Sequence, residues 1–133
     1  ENGKLYLEKN FHNDALDGEA KEYYESGQLK SLEHYSGDDL NGECRYYFPD
    51  GKLKFVMNYA RGVLVGSSQE YYPNGNIKSE VNYTNGKWDG PIKEYDQSGK
   101  LEHEWTYKDG IREGKSKIYY PEGKVKWEAD FKD

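Results

Sequence analysis

The sequence predicts an all-β protein, an elongated single-layer antiparallel β-meander of tandem hairpins with a 24-residue period. Three observations predict it. Glycine recurs at two phases of one period, and aromatic and branched aliphatic residues recur at fixed offsets from those glycines. No segment carries a sustained 3.6-residue apolar pattern, so almost no helix is expected.

Gly18, Gly42, Gly66, Gly90 and Gly114 are spaced by 24 residues, and Gly3, Gly27, Gly51, Gly75, Gly99 and Gly123 repeat at the same interval. Five residues after each glycine of the first series stands a tyrosine: Tyr23, Tyr47, Tyr71, Tyr95, Tyr119. Two residues after each glycine of the second series stands a branched aliphatic: Leu5, Leu29, Leu53, Ile77, Leu101, Val125. Six further on come Phe11, Tyr35, Tyr59, Tyr83, Tyr107 and Phe131. Unbroken self-similarity of this kind marks a repeat architecture. The chain is read as one repeat domain over residues 1–133: a half unit 1–17, then units 18–41, 42–65, 66–89, 90–113 and 114–133.

Each unit reads as a hairpin. Its tip is Glu25-Ser26-Gly27, Pro49-Asp50-Gly51, Pro73-Asn74-Gly75, Gln97-Ser98-Gly99 or Pro121-Glu122-Gly123. Proline presets φ for the first position of a type I turn and glycine takes the left-handed position after it, giving a three-residue loop. Pairing residue 48 with 52 then sets Tyr47 opposite Leu53. Strict alternation would add Phe55, Met57 and Tyr59 to that face and send Lys54, Val56 and Asn58 to the other. A second, glycine-containing turn leads into the next unit, as at Asn85-Gly86 and Asp109-Gly110. Two units depart from this: Gly37-Asp38 moves the glycine forward by one, and Arg61 to Val65 is unusually apolar for a turn. Lys124, Lys126, Glu128, Asp130 and Lys132 charge the last strand, a protection against edge-to-edge association. The first strand, Lys4-Leu5-Tyr6-Leu7, is greasier and leaves edge-to-edge pairing open.

Composition narrows the function classes. Nine Leu, four Ile, five Val and four Phe are about a sixth of the chain, a level that often signals disorder. Fourteen Tyr and three Trp overturn that reading, since they supply buriable area and strong strand propensity. A net charge of −6 argues against nucleic acid and against anionic membranes, which both require a cationic surface. The lone Cys44 allows no internal disulfide and no cysteine metal cluster. No apolar run approaches the ~18 residues of a membrane span. The chain begins at Glu1, which leaves the compartment open between cytoplasm and an extracytoplasmic space reached by a cleaved signal.

The spacing of Tyr83, Gly86, Gly90 and Tyr95, and again of Tyr107, Gly110, Gly114 and Tyr119, resembles the MORN repeat, the membrane occupation and recognition nexus. The likeness is to the bacterial variant, YwqK-like and sometimes labelled a toxin–antitoxin antitoxin, and it covers nearly the whole chain. The resemblance implies a curved sheet of hairpins used as a binding or scaffolding platform, without specifying a ligand. A match to YD repeats of large bacterial shell proteins occurs once, at Tyr95 to Leu101.

No catalytic constellation is legible, and no cofactor or metal is expected. His12, His34 and His103 fall at unrelated phases, and solvated surface histidine is the expectation for the first two. Cys44 shares its phase with Ala20, Ser68, Ile92 and Ser116 and reads as a small strand filler. Glu80, Glu104 and Glu128 are in phase, expected on the face away from the tyrosines and neutralised by Lys78 and Lys126. The glycines sit in turns, none of them opening a helix as a phosphate loop would.

The candidate site is therefore a binding surface. His103, Trp105 and Trp127 gather in the last two units near Tyr95, Tyr107 and Tyr119, and Trp88 stands in a turn. Exposed Trp and Tyr make the anchors of interfaces, whereas large rings inside a curling sheet are simply its spine. Three expectations follow: a module binding a protein through a Tyr/Trp-lined face or strand edge, a carbohydrate binder stacking sugars on Trp105 and Trp127 beside Glu102 and Glu104, or a structural spacer.

Overall fold

The structure is a computed structural model that describes residues 6–132; Gly3, Lys4 and Leu5 of the first expected hairpin lie outside the described residues. Strands and turns account for it, with no helix among the described residues. The chain divides into two compact units, Glu1–Val63 and Leu64–Asp133.

In the first unit β1 (Leu7–His12), β2 (Ala15–Tyr23), β3 (Leu29–Ser36), β5 (Gly42–Tyr47) and β6 (Leu53–Ala60) pair antiparallel in chain order. The two-residue β4 (Asp39–Leu40) folds back on β3. The short β7 (Val63–Leu64) follows. In the second unit the order is β8 (Gly66–Tyr71), β9 (Ile77–Thr84), β11 (Gly90–Tyr95), β12 (Leu101–Lys108), β14 (Gly114–Tyr119), β15 (Val125–Phe131). Here β10 (Lys87–Trp88) folds back on β9 and β13 (Ile111–Arg112) on β12. The hairpin meander expected from the period is the fold.

The two turns of each repeat differ in type. At the tip, Phe48 N donates to Lys52 O at 2.8 Å and Gly51 N to Phe48 O at 2.8 Å, closing the three-residue loop. Gly51 takes φ 85°, the left-handed position the sequence assigned to it. The inter-repeat turn is tighter: Asn85 and Gly86 have φ 50° and 76°, and Asp109 and Gly110 have 50° and 84°. Two successive positive values define a two-residue type I′ turn, whose twist matches that of the strands it joins. The displaced glycine of the repeat 18–41 is accommodated too, because Gly37 and Asp38 are both left-handed, at 59° and 72°.

Each hairpin also carries a bulge that strict alternation does not foresee. Tyr47 pairs with Leu53, as expected, but Tyr46 pairs with Phe55, so Lys54 is the extra residue. The same shift occurs between Glu22 and Tyr23, Glu70 and Tyr71, Glu94 and Tyr95, and Ile118 and Tyr119. Beyond the bulge, Cys44 pairs with Met57 and Gly42 with Tyr59. Phe55, Met57 and Tyr59 therefore share a face with Tyr46 and Cys44, not with Tyr47. One inserted residue shifts the whole side-chain phase of a strand relative to its turn.

The buried row is mostly small side chains: Ala20, Cys44, Ser68, Ile92 and Ser116 are 0–7 % exposed, one per hairpin. Cys44 is the small strand filler the phase suggested, and burial raises its thiol pKa. Aromatic rings flank this row rather than fill it, which is how a chain poor in Leu and Ile holds together.

Candidate binding face

The bulge separates the tyrosines of the repeat into two sets on opposite faces. Tyr95 donates to Glu80 at 2.7 Å, Tyr119 to Glu104 at 3.2 Å and Tyr23 to Glu8 at 3.1 Å. Glu80 also accepts from Gln69 at 3.3 Å, and Gln69 accepts from Tyr71 at 2.8 Å. The in-phase glutamates thus lie on the face of Tyr71, Tyr95 and Tyr119, against the expectation that they point away from it. Their expected neutralisers go elsewhere: Lys78 reaches Glu70 at 2.8 Å and Lys126 lies over the Tyr120 ring at 5.7 Å. Glu128 pairs instead with Lys117 at 3.6 Å. This face is a polar ladder of phenols and carboxylates.

The other face of the second unit gathers the remaining aromatic candidates. Trp105 stacks on His103 with ring centroids 5.2 Å apart and planes at 13°. Glu94 anchors both, its Oε2 accepting from Trp105 Nε1 at 3.2 Å and lying 3.1 Å from His103 Nδ1. The Arg112 guanidinium covers the far side, 3.9 Å from the Trp105 centroid and 4.9 Å from that of Phe131. Phe131 in turn meets Trp127 at 6.3 Å. One strand pair away, Trp88 sits edge-on to Tyr107 at 5.0 Å and donates to the Tyr83 hydroxyl at 3.2 Å. Trp88 and Trp127 are each 41 % exposed, while Trp105, His103 and Tyr107 are half-buried.

Of the seven residues singled out from sequence, five share this face: Trp88, His103, Trp105, Tyr107 and Trp127. Tyr95 and Tyr119 do not, because the bulge turns them to the polar ladder. Glu104 goes with them, which removes it from the acids beside the tryptophans. Sequence reasoning missed Glu94, Arg112 and Phe131. The signal lay in the phase: Arg112 falls where Leu16, Leu40, Leu64 and Trp88 stand, a cation at an otherwise apolar position.

In the first unit the corresponding face is built around Glu33, which accepts from Tyr35 at 2.8 Å and Tyr46 at 2.9 Å. Burial, then the bond to Glu33, pushes the Tyr35 phenol up to about 12 and Tyr46 up as well. His34 departs from the solvated role expected of it, holding the Glu43 carbonyl at 2.6 Å and lying 3.7 Å from Glu19. His12 is exposed. Among the described residues no three His, Cys, Asp or Glu side chains converge on a metal-sized site.

The family model described as a MORN repeat variant matches the chain five times, at residues 16–36, 40–60, 64–85, 88–109 and 112–133. Successive matches start 24 residues apart, each two residues before a first-series glycine. Among curated proteins nothing matches the chain.

Proposed function

Because the chain belongs to the family of MORN repeat variants, we propose that it is a non-catalytic interaction module that binds a partner protein through the aromatic face of its second unit. One observation supports this above others. Trp105 is held in place by Glu94, His103 and Arg112, while Trp127, linked to it through Phe131 and Arg112, is left 41 % exposed. A fixed ring next to an exposed one is the arrangement of an interface anchor, since its ordering entropy is spent before binding. Carbohydrate stacking is the second reading, favoured by the accessible Trp88 and Trp127 rings.

An affinity capture from matched cell extract, run beside Trp105→Ala/Trp127→Ala, tests the proposal. The wild type is expected to retain a protein that the folded double mutant loses, a deficit of about 2 kcal/mol or more for a central anchor. Equal capture by both chains overturns the aromatic face as the site. Retention of glycan-bearing species alone, released by free sugar, replaces the protein reading with the carbohydrate one.

A further inference from the structure

The tip of each hairpin carries a positively charged residue at its bulge, with one exception. Lys30, Lys54, Lys78 and Lys126 occupy that phase, and the fourth repeat has Glu102 there. Each lysine has work on the aromatic face. Lys30 pairs with Glu22 at 2.7 Å and Lys78 with Glu70 at 2.8 Å. Lys54 lies over the Phe48 and Phe55 rings, and Lys126 over Tyr120.

The partner position in the fourth repeat is Glu94, in register with Glu22 and Glu70. Glu94 pairs with His103, with Glu102 the extra residue beside it, so two carboxylates stand where the neighbouring hairpin has an ion pair. Glu102 is not opposite Glu94 in the ladder, but it brings a second carboxylate to the place where Lys78 of the neighbouring hairpin brings an ammonium. Two side chains already turn toward Glu94: Trp105 and His103 both meet its Oε2.

These residues line a groove of about 300 Å³ within the second unit, between Glu70, Tyr72, Ser79, Glu94, Glu102 and His103. Its aromatic wall is fixed, since the Tyr72 hydroxyl donates to Tyr95 O at 2.8 Å. Three carboxylates line it against one ammonium, Lys78, which is committed to Glu70. Glu70 has Lys78 and Glu94 has His103, which leaves Glu102 as the added carboxylate beside the aromatic wall, and the two together attract a cation through the ring face and through charge.

We infer that this groove receives a lysine or arginine side chain from a basic segment of the partner protein, the incoming cation taking the position that Lys30 and Lys78 hold in their own hairpins. The inference rests on the interaction reading above and specifies the chemistry of the partner. Glu102 stands at the phase where the other four hairpins carry Lys, so this hairpin supplies a carboxylate where Lys30 and Lys78 supply an ammonium.

The test is a calorimetric and NMR titration of the whole chain with three synthetic decapeptides of one length, bearing two arginines, two lysines or two glutamates. Binding of the basic peptides is expected, with shifts at the Trp105 indole N–H and at His103, and none with the acidic peptide. Glu102→Lys restores the side chain that four other hairpins carry and so should fold; it is expected to weaken binding at least about tenfold. Asp17→Lys makes the same change in net charge on an exposed strand position of the first unit and should leave affinity within about twofold. Equal weakening by both variants reduces the effect to overall charge and overturns the inference, as does Glu102→Lys binding like the wild type. Absence of any basic-peptide binding also overturns it. Continued loss of the captured partner in Trp105→Ala/Trp127→Ala would in that event leave the aromatic interaction face standing.

Discussion

A phenol that donates to a carboxylate is held in its neutral form, and Tyr95 is the clearest instance. Burial first, and its bond to Glu80 second, push its pKa from 10.0 to about 12. The folded chain binds that proton more tightly than the unfolded chain. Its contribution is therefore complete below pH 10 and is lost as pH climbs from about 10 to 12. Tyr95→Phe is expected to lose about 1 kcal/mol or less at neutral pH, since the site is partly solvated. The mutant should also show a shallower fall in melting temperature through that alkaline window. Identical alkaline profiles for the two chains would contradict the assignment. The tyrosine phase itself was plain in the sequence, but its face was not. A bulge is a backbone event with no signature residue, and the charged side chain at its extra position looks like any solvent-facing strand residue. Tyr95, Tyr119 and Glu104 were therefore misplaced together, by one cause.

At the scale of the element, each repeat alternates a three-residue tip with a two-residue turn, and the chemistry of each is written locally. Asp96 stabilises one tip alone, its Oδ1 accepting from Ser98 N at 2.8 Å, Ser98 Oγ at 2.6 Å and Lys100 N at 3.0 Å. The tip glycines and the Pro-x-Gly sequences made this turn legible in advance. The type I′ turn was less so at Arg61, which does not advertise a left-handed conformation as asparagine and aspartate do. At Gly110 an added Cβ would find ordinary contact with Lys87 at 3.8 Å, so space is available and only the φ of 84° objects. Gly110→Val is accordingly expected to cost about 1–2 kcal/mol through backbone strain, read as a lowered denaturation midpoint with an unchanged slope. Asp109→Asn, which keeps a residue tolerant of that conformation, should be close to neutral.

Within each unit, every described strand pairs only with strands one or two places from it in the chain. Stability in such a chain is a sum of repeat and nearest-neighbour terms. Excising residues 88–111 joins Lys87 to Arg112 at the phase that Trp88 held, and the shortened chain is expected to keep its β circular dichroism and melt cooperatively at a lower temperature. Excising residues 88–99, half a period, removes β11 and its tip and leaves two type I′ turns in succession, which should instead give an aggregating chain. Cooperative folding of the half-period deletion would refute the independence of the repeats. The fold was legible at this scale because period is a global property that survives local error. The candidate face was legible only as a set of unusual residues, since which of them meet depends on a register the period does not specify.

The inserted residue at each bulge has one more effect. It splits each hairpin into two alphabets: a constant tyrosine, which in three hairpins donates to a carboxylate, and a variable one at positions such as 55, 79, 103 and 127. A substitution in the variable alphabet leaves the tyrosine–carboxylate bonds of the opposite face untouched. In the proposed binding role, specificity would be rewritten one hairpin at a time, as type is reset in a line, while the fold stays in place.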